Sequence, residues 1–339
     1  MIIPGADDAT RIGWLGRHRL WPVAAFLAQR GDLPAHLAAI AEPLAERQRR
    51  DMRLQLAEDQ RVVSSLAKSG VPVLVLKGAL LAQAVYPTPE SRFRTDLDLL
   101  VDAKNVAAIE GQLRELDYDR PEGAQSAMPL RQSQWTRRSG ERIFSVDLHW
   151  DLRNHPALQA RFSFSELIES SQPLPALADQ ALGIGPAHAL LNASMHFFND
   201  YADERPLQWL LDKDLLWRAM SKAKREYCVE LACEKGLAGL LAESLRLTRD
   251  WFQSPVSDKQ IETLRSAGRG QWCTGLVRAN EKRHSAYWFA LRSEPGLRRK
   301  IRRVRMGLFP PASYVRQHYP EGSRWRLVGL YVRRLAQKL

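Results

Sequence analysis

Cysteine is scarce in this chain of 339 residues: Cys228, Cys233 and Cys273 are all there are. An odd number, with no Cys-x-x-Cys pair, excludes a disulfide framework and a thiolate zinc site, and fits reduced thiols in a cytoplasm. No apolar run approaches the ~18 residues of a membrane span. The N-terminus carries no basic region followed by an apolar stretch, so no secretory signal is read there and the expected compartment is the cytoplasm. Several chemistries are also missing. There is no Gly-x-Gly-x-x-Gly, no Gly-Lys-Ser/Thr, no Gly-x-Ser-x-Gly and no His-Glu-x-x-His, which removes the usual dinucleotide, P-loop, serine-hydrolase and zinc-protease readings.

What remains is a composition with 45% hydrophobic and 26% charged residues, enough for a real core. The net charge of +12 is unevenly placed, since residues 291–339 hold thirteen Lys or Arg against only Glu294 and Glu321. Within that segment Leu297, Ile301 and Val304 recur at helical spacing among Arg298, Arg299, Lys300, Arg302, Arg303 and Arg305. This predicts an amphipathic helix. Its apolar stripe either packs on the body or forms, with the basic face, a surface over 297–305 for RNA, another polyanion, an acidic membrane surface or a partner. Tyr314, Tyr319, Trp325 and Tyr331 follow, spaced equally well for base stacking and for a core.

The chemistry concentrates earlier. Val71 to Leu76 reads as a strand, Lys77-Gly78 as a turn and Ala79 to Tyr86 as a helix, and a helix N-terminus after a glycine turn favours anions. The next strand, 96–102, opens Asp96-Leu97-Asp98, placing both carboxylates on one face because side chains i and i+2 of a strand share a face. A helix over 104–116 and a hairpin follow, and its second arm carries Asp147 and His149 on one face and Val146 and Leu148 on the other. Three carboxylates together repel one another unless cations neutralise them, and hard oxygen ligands suit Mg²⁺ or Mn²⁺. The N-terminal 10–69 reads as helical with a break or a helix start at Pro43, and Ser69-Gly70 stops its last helix. Beyond Pro156 strand signals cease. Helices are predicted from Pro186 to Phe198, from Leu207 to Ala219 and from Arg225 to Leu247, and Pro310-Pro311 forces a late turn. The first of these carries His188, Asn192 and His196 in one polar line, suited either to an internal network or to lining a pocket.

These motifs resemble an uncharacterised bacterial family of the polymerase beta-type nucleotidyltransferase superfamily. The resemblance rests on Leu76-Lys77-Gly78, Tyr86, the run from Arg92 through Asp96 and Asp98 to Val101, and Asp147 to Trp150. It extends through Trp209 to Asp212 and Leu308 to Pro310. It implies an α+β fold: a small mixed β-sheet nucleotidyltransferase core over 70–155, N-terminal helices over 1–69, and a larger helical domain over 156–339 ending in the basic segment. It also implies a metal-dependent enzyme that moves an NMP from an NTP, ATP by expectation, to a peptide or protein, small-molecule or RNA acceptor. Asp96, Asp98 and Asp147 would be the catalytic, metal-holding set, with Lys77, Gly78, Arg92 and His149 around the nucleotide and Asp212 facing the same pocket. One departure concerns the turn, where Gly78-Ala79 stands in place of the superfamily's Gly-Ser or Gly-Gly. Two rivals follow from that departure and from the metals: a degenerate module that binds nucleotide or RNA without chemistry, and a metal-dependent phosphotransferase.

Overall fold

The computed structural model describes residues 7–121, 130–199, 205–279 and 283–309. Three helices come first: α1 (Asp8–Arg17), α2 (Trp21–Gln29) and the 33-residue α3 (Ala35–Ala67). Neither the break nor the helix start expected at Pro43 occurs, and α3 continues through it. An internal proline forfeits one backbone hydrogen bond and costs about 3 kcal/mol. Buried Leu37, Ala41 and Ala45 hold the helix in place on either side of it. The helix ends at Ala67, and Gly70 (φ +71°) supplies the left-handed turn that leads into the sheet.

The sheet is mixed and has six strands in the order β3-β4-β2-β1-β6-β5. Its centre is β1 (Val73–Val75), antiparallel to β2 (Asp96–Val101), with α4 (Lys77–Ala84) between them in sequence and α5 (Val106–Glu115) after β2. The hairpin of β3 (Gln132–Ser139) and β4 (Arg142–His149) then adds β4 parallel to β2. Leu97, Leu99, Val101, Val146 and Leu148 are buried in the main apolar core, so the opposite face of β2 and β4 is left for the acidic residues. On the far side, Glu58 of α3 grips the hairpin, accepting from Arg61, Arg137 and the Tyr118 hydroxyl.

Strands do not stop at Pro156. After α6 (Phe164–Glu169) come β5 (Gln172–Pro173) and β6 (Leu182–Gly183), which extend the sheet beyond β1. Two-residue strands carry no alternation to read, and Pro173 sits on the edge strand, where its missing N–H costs nothing. Gly183 is there for space, since a Cβ would stand 2.5 Å from Leu80 Cδ1.

The helical region then runs α7 (Pro186–Asn199), α8 (Gln208–Ala219), α9 (Lys222–Glu234), α10 (Ala238–Phe252), α11 (Asp258–Gly268), α12 (Thr274–Ala279), α13 (Arg283–Ser293) and α14 (Leu297–Leu308). The single helix predicted from Arg225 to Leu247 is two. Gly236 (φ +67°) closes α9, with Gly236 N–H donating to Cys233 O and Leu237 N–H to Ala232 O. One contiguous core joins strands and helices, from Leu20 through Leu148 to Leu276. Helix α14 is an exception, burying none of its residues. The predicted turn at Pro310-Pro311 and the aromatics Tyr314, Tyr319, Trp325 and Tyr331 lie outside the described residues.

Candidate active site

The register of two parallel strands builds the site. Asp98 on β2 stands opposite Asp147 on β4, with Asp96 opposite Ser145 and Leu100 opposite His149. One ligand atom from each of Asp98, Asp147 and His149 can lie within 4.8 Å of the others, a spacing that could hold a metal ion. Asp147 Oδ1 is buried and has no hydrogen-bond partner, an expensive state for a carboxylate oxygen and the state expected of a cation ligand. Asp96, half-buried two residues upstream, lies within electrostatic range of Asp98, Lys77, Arg92 and Arg19.

Lys77 leaves β1 in the left-handed region (φ +43°), a backbone that costs a non-glycine residue about 1 kcal/mol and clusters at functional turns. Its ammonium Nζ donates to Asp98 Oδ1 at 2.6 Å, and the Leu76 N–H donates to the Asp98 carbonyl. His149 Nε2 lies 2.9 Å from the same Oδ1 and donates to it, since an ionised carboxylate can only accept. Burial pushes the Asp98 carboxyl up, but Lys77 and His149 outweigh it and hold the group well below the usual carboxylate range. Asp147 is treated oppositely. Burial, then the charges of Asp98 and Asp96, raise it to about 7. Asp96 is raised by burial and by Asp98. Burial, followed by the charge of Lys77, lowers His149 to about 4, so its ring is neutral at pH 7. The donor set of two to three carboxylates beside a neutral imidazole fits a divalent cation.

Gly78 is wrapped from behind. A Cβ there would stand 3.0 Å from Arg92 Nη1 and 3.1 Å from Arg94 Cβ, so the glycine makes room for two buried arginines. Arg94 is fully buried against Asp59 of α3, its Nε donating at 2.9 Å. Arg92 commits its fork to Asp212 on α8, with Nε to Oδ1 at 3.0 Å and Nη2 to Oδ2 at 2.7 Å, and the Tyr86 hydroxyl donates to the same Oδ1 at 2.8 Å. This triad, in which Arg92 and Asp212 are buried, bolts the helical region to the sheet beside the acids. A cleft between the two is lined by Lys77 and Arg92 on one wall and by Asn192, His196, Trp209 and Asp212 on the other. The polar line on α7 therefore divides. Asn192 and His196 face the cleft, whereas His188 meets Ser170 and Glu166 elsewhere.

Two cations here were not singled out by sequence reasoning. Arg153 follows β4 by four residues and is buried. Its Nη2 donates to Asn192 Oδ1 at 2.6 Å, and its Nη1 lies 3.2 Å from His196 Nδ1. Its signal was its place just past Asp147 and His149. Arg19, in the turn between α1 and α2, also adopts positive φ (+59°) and lies over the Phe93 ring at 4.9 Å. Burial and the nearby Arg92 lower it, while Asp96 and Asp212 oppose that. Nothing local in the sequence ties residue 19 to residue 96.

The chain belongs to the family described as uncharacterised nucleotidyltransferase, whose model matches residues 5–253. That span contains every residue of the acid cluster and the cleft. It begins earlier than the motifs indicated and ends before Leu308 to Pro310. No curated protein matches the chain.

Proposed function

We propose that the chain transfers a nucleoside monophosphate from an NTP, with ATP the expected donor, to an acceptor hydroxyl or phosphate. Asp96, Asp98 and Asp147 are the acidic set, and Mg²⁺ or Mn²⁺ is the resident cation. The observation that carries this reading is the Asp98–Asp147 pair across parallel strands, in which one buried carboxylate oxygen has no partner, in a chain of a nucleotidyltransferase family. Bound cations supply neutralisation of the phosphate oxygens and polarisation of the bond under attack.

The chain's own side chains do the rest. His149 fixes the orientation of Asp98 through its Nε2–H. Lys77 neutralises Asp98 in the free protein and sits at the cleft wall, from which its flexible ammonium turns to a substrate phosphate. Gly78 and the first turn of α4 present backbone N–H groups at a helix N-terminus that no side chain caps. Arg92 lends positive potential to the cleft while anchored on Asp212, and Arg19 offers a guanidinium near Asp96. Asp147, whose buried Oδ1 has no protein partner, would hold the cation together with Asp98.

Incubation of the protein and a cell lysate with ATP labelled at the α or the γ phosphate tests this. Mg²⁺-dependent α label on an acceptor, lost in Asp98→Asn, is the expected result. Label from γ would make the chain a phosphotransferase. Label from neither, with ATP still bound, would make it a nucleotide-binding module.

A further inference from the structure

Helix α14 is amphipathic in the opposite sense to an ordinary surface helix. At about 100° per residue, Leu297, Ile301, Val304 and Leu308 fall in one narrow stripe. That stripe faces outward: Leu297 is 72% exposed, Ile301 58%, Leu308 40% and Val304 36%. The side turned to the body is another one. Arg303 Nε donates to Glu294 at 2.7 Å, the Tyr287 hydroxyl donates to the Arg303 carbonyl, and a Cβ at Gly307 would stand 2.7 Å from the Tyr287 hydroxyl oxygen. Arg298, Arg302 and Arg305 are exposed and flank the stripe on its solvent side. Glu294, the acid paired with Arg303, lies on the side facing α13.

We infer that α14 is an interfacial anchor that docks the protein on an anionic lipid surface, with its axis in the plane of the bilayer. The stripe enters the boundary between headgroups and acyl chains, and the flanking guanidiniums stay among the phosphates on their apolar stems. Charge and shape together choose this occupant. Any polyanion satisfies the arginines, but a nucleic-acid backbone has no use for four aliphatic side chains in a row, whereas a bilayer needs both. No helix of the described residues is long and apolar enough to cross a membrane, so the contact is peripheral. The element also lies past residue 253, outside the family match, as an addition to the catalytic body would.

The test is co-sedimentation of the full chain with vesicles of phosphatidylcholine alone, or with about one-third phosphatidylglycerol, at low and physiological salt. The wild type should bind the anionic vesicles at least tenfold more tightly than the neutral ones. Ile301→Gln with Leu308→Gln keeps all charges and should lose about tenfold on anionic vesicles. Arg298→Gln with Arg302→Gln and Arg305→Gln should lose roughly a hundredfold. Both variants change exposed residues, so unaltered melting temperatures certify the fold. No binding to anionic vesicles at low salt overturns the inference. So does a stripe variant that binds as the wild type does, and an RNA oligonucleotide bound with the same arginine dependence would then identify the face as a nucleic-acid surface.

Discussion

Replacing Lys77 by Met tests how the acid cluster is balanced. The Lys77 ammonium lies 2.6 Å from Asp98 Oδ1, in a contact that leaves the carboxylate only 3% exposed. Two unit charges near contact interact by about 4 kcal/mol at an effective dielectric of ~20, and burial of both ions offsets part of that. Removing the cation leaves Asp98 buried with only His149 to support it. The expected cost is ~3 kcal/mol, or roughly 4 °C in melting temperature for a chain of this size. Divalent cation should narrow the gap. In the wild type it competes with Lys77 for Asp98, whereas in Lys77→Met it meets an open carboxylate. The variant should therefore gain more from Mn²⁺ than the wild type, with cation affinity about tenfold higher, while ATP binding should weaken through loss of the phosphate contact proposed for Lys77. Melting curves with EDTA and with a Mn²⁺ series, paired with ATP titrations, read both effects. A variant that melts like the wild type in EDTA, or gains nothing extra from Mn²⁺, refutes the balance described here.

Other perturbations follow from the same contacts. Asp212→Ala should destabilise by ~3–5 kcal/mol, because it strands the buried Arg92 guanidinium, whereas Asp212→Leu combined with Arg92→Met should recover much of that loss in urea unfolding. Burial pushes Glu58 up, but hydrogen bonds from Arg61, Arg137 and Tyr118 outweigh it and bring the group from 4.5 down to about 2. A depressed acid contributes stability that is full above 4.5 and is lost as pH falls towards 2. The wild type should lose ~2 kcal/mol across that window, after allowance for solvent screening, and Glu58→Gln should flatten that limb of the melting profile. An unchanged acid limb would remove Glu58 as the clamp between α3 and the hairpin.

How much of this was legible in the sequence follows physical range. The shared facing of Asp96 and Asp98, and of Asp147 and His149, was readable because a period of two and a short apolar run fix the facing of a strand locally. The junction of strand and helix at Lys77-Gly78 was readable, although the expected turn is the first turn of α4 itself, and the reason for its glycine was not. It lies in the side chains of Arg92 and Arg94 packed behind it, partners supplied by later chain. Pro43 misled because tertiary packing outweighed a local penalty. The strands β5 and β6 were too short to carry a pattern. Asp212 was visible as a motif position, yet its pairing with Arg92 spans 120 residues and depends on the fold. The stripe of α14 was visible, but its outward direction was not, because the pattern of one helix cannot say which side its neighbours occupy.

The most direct measurement is the binding of Mn²⁺, followed by the electron paramagnetic resonance signal of the free ion. Wild type, Asp98→Asn, Asp147→Asn and the exposed control Asp258→Asn would be compared at pH 7.5. The Asp98–Asp147 site predicts binding in the wild type and in the control, weakened at least tenfold in each of the other two variants, because each removes a ligand oxygen from one cluster. Equal Mn²⁺ affinity in all four proteins would contradict it and leave the paired carboxylates without the role assigned to them.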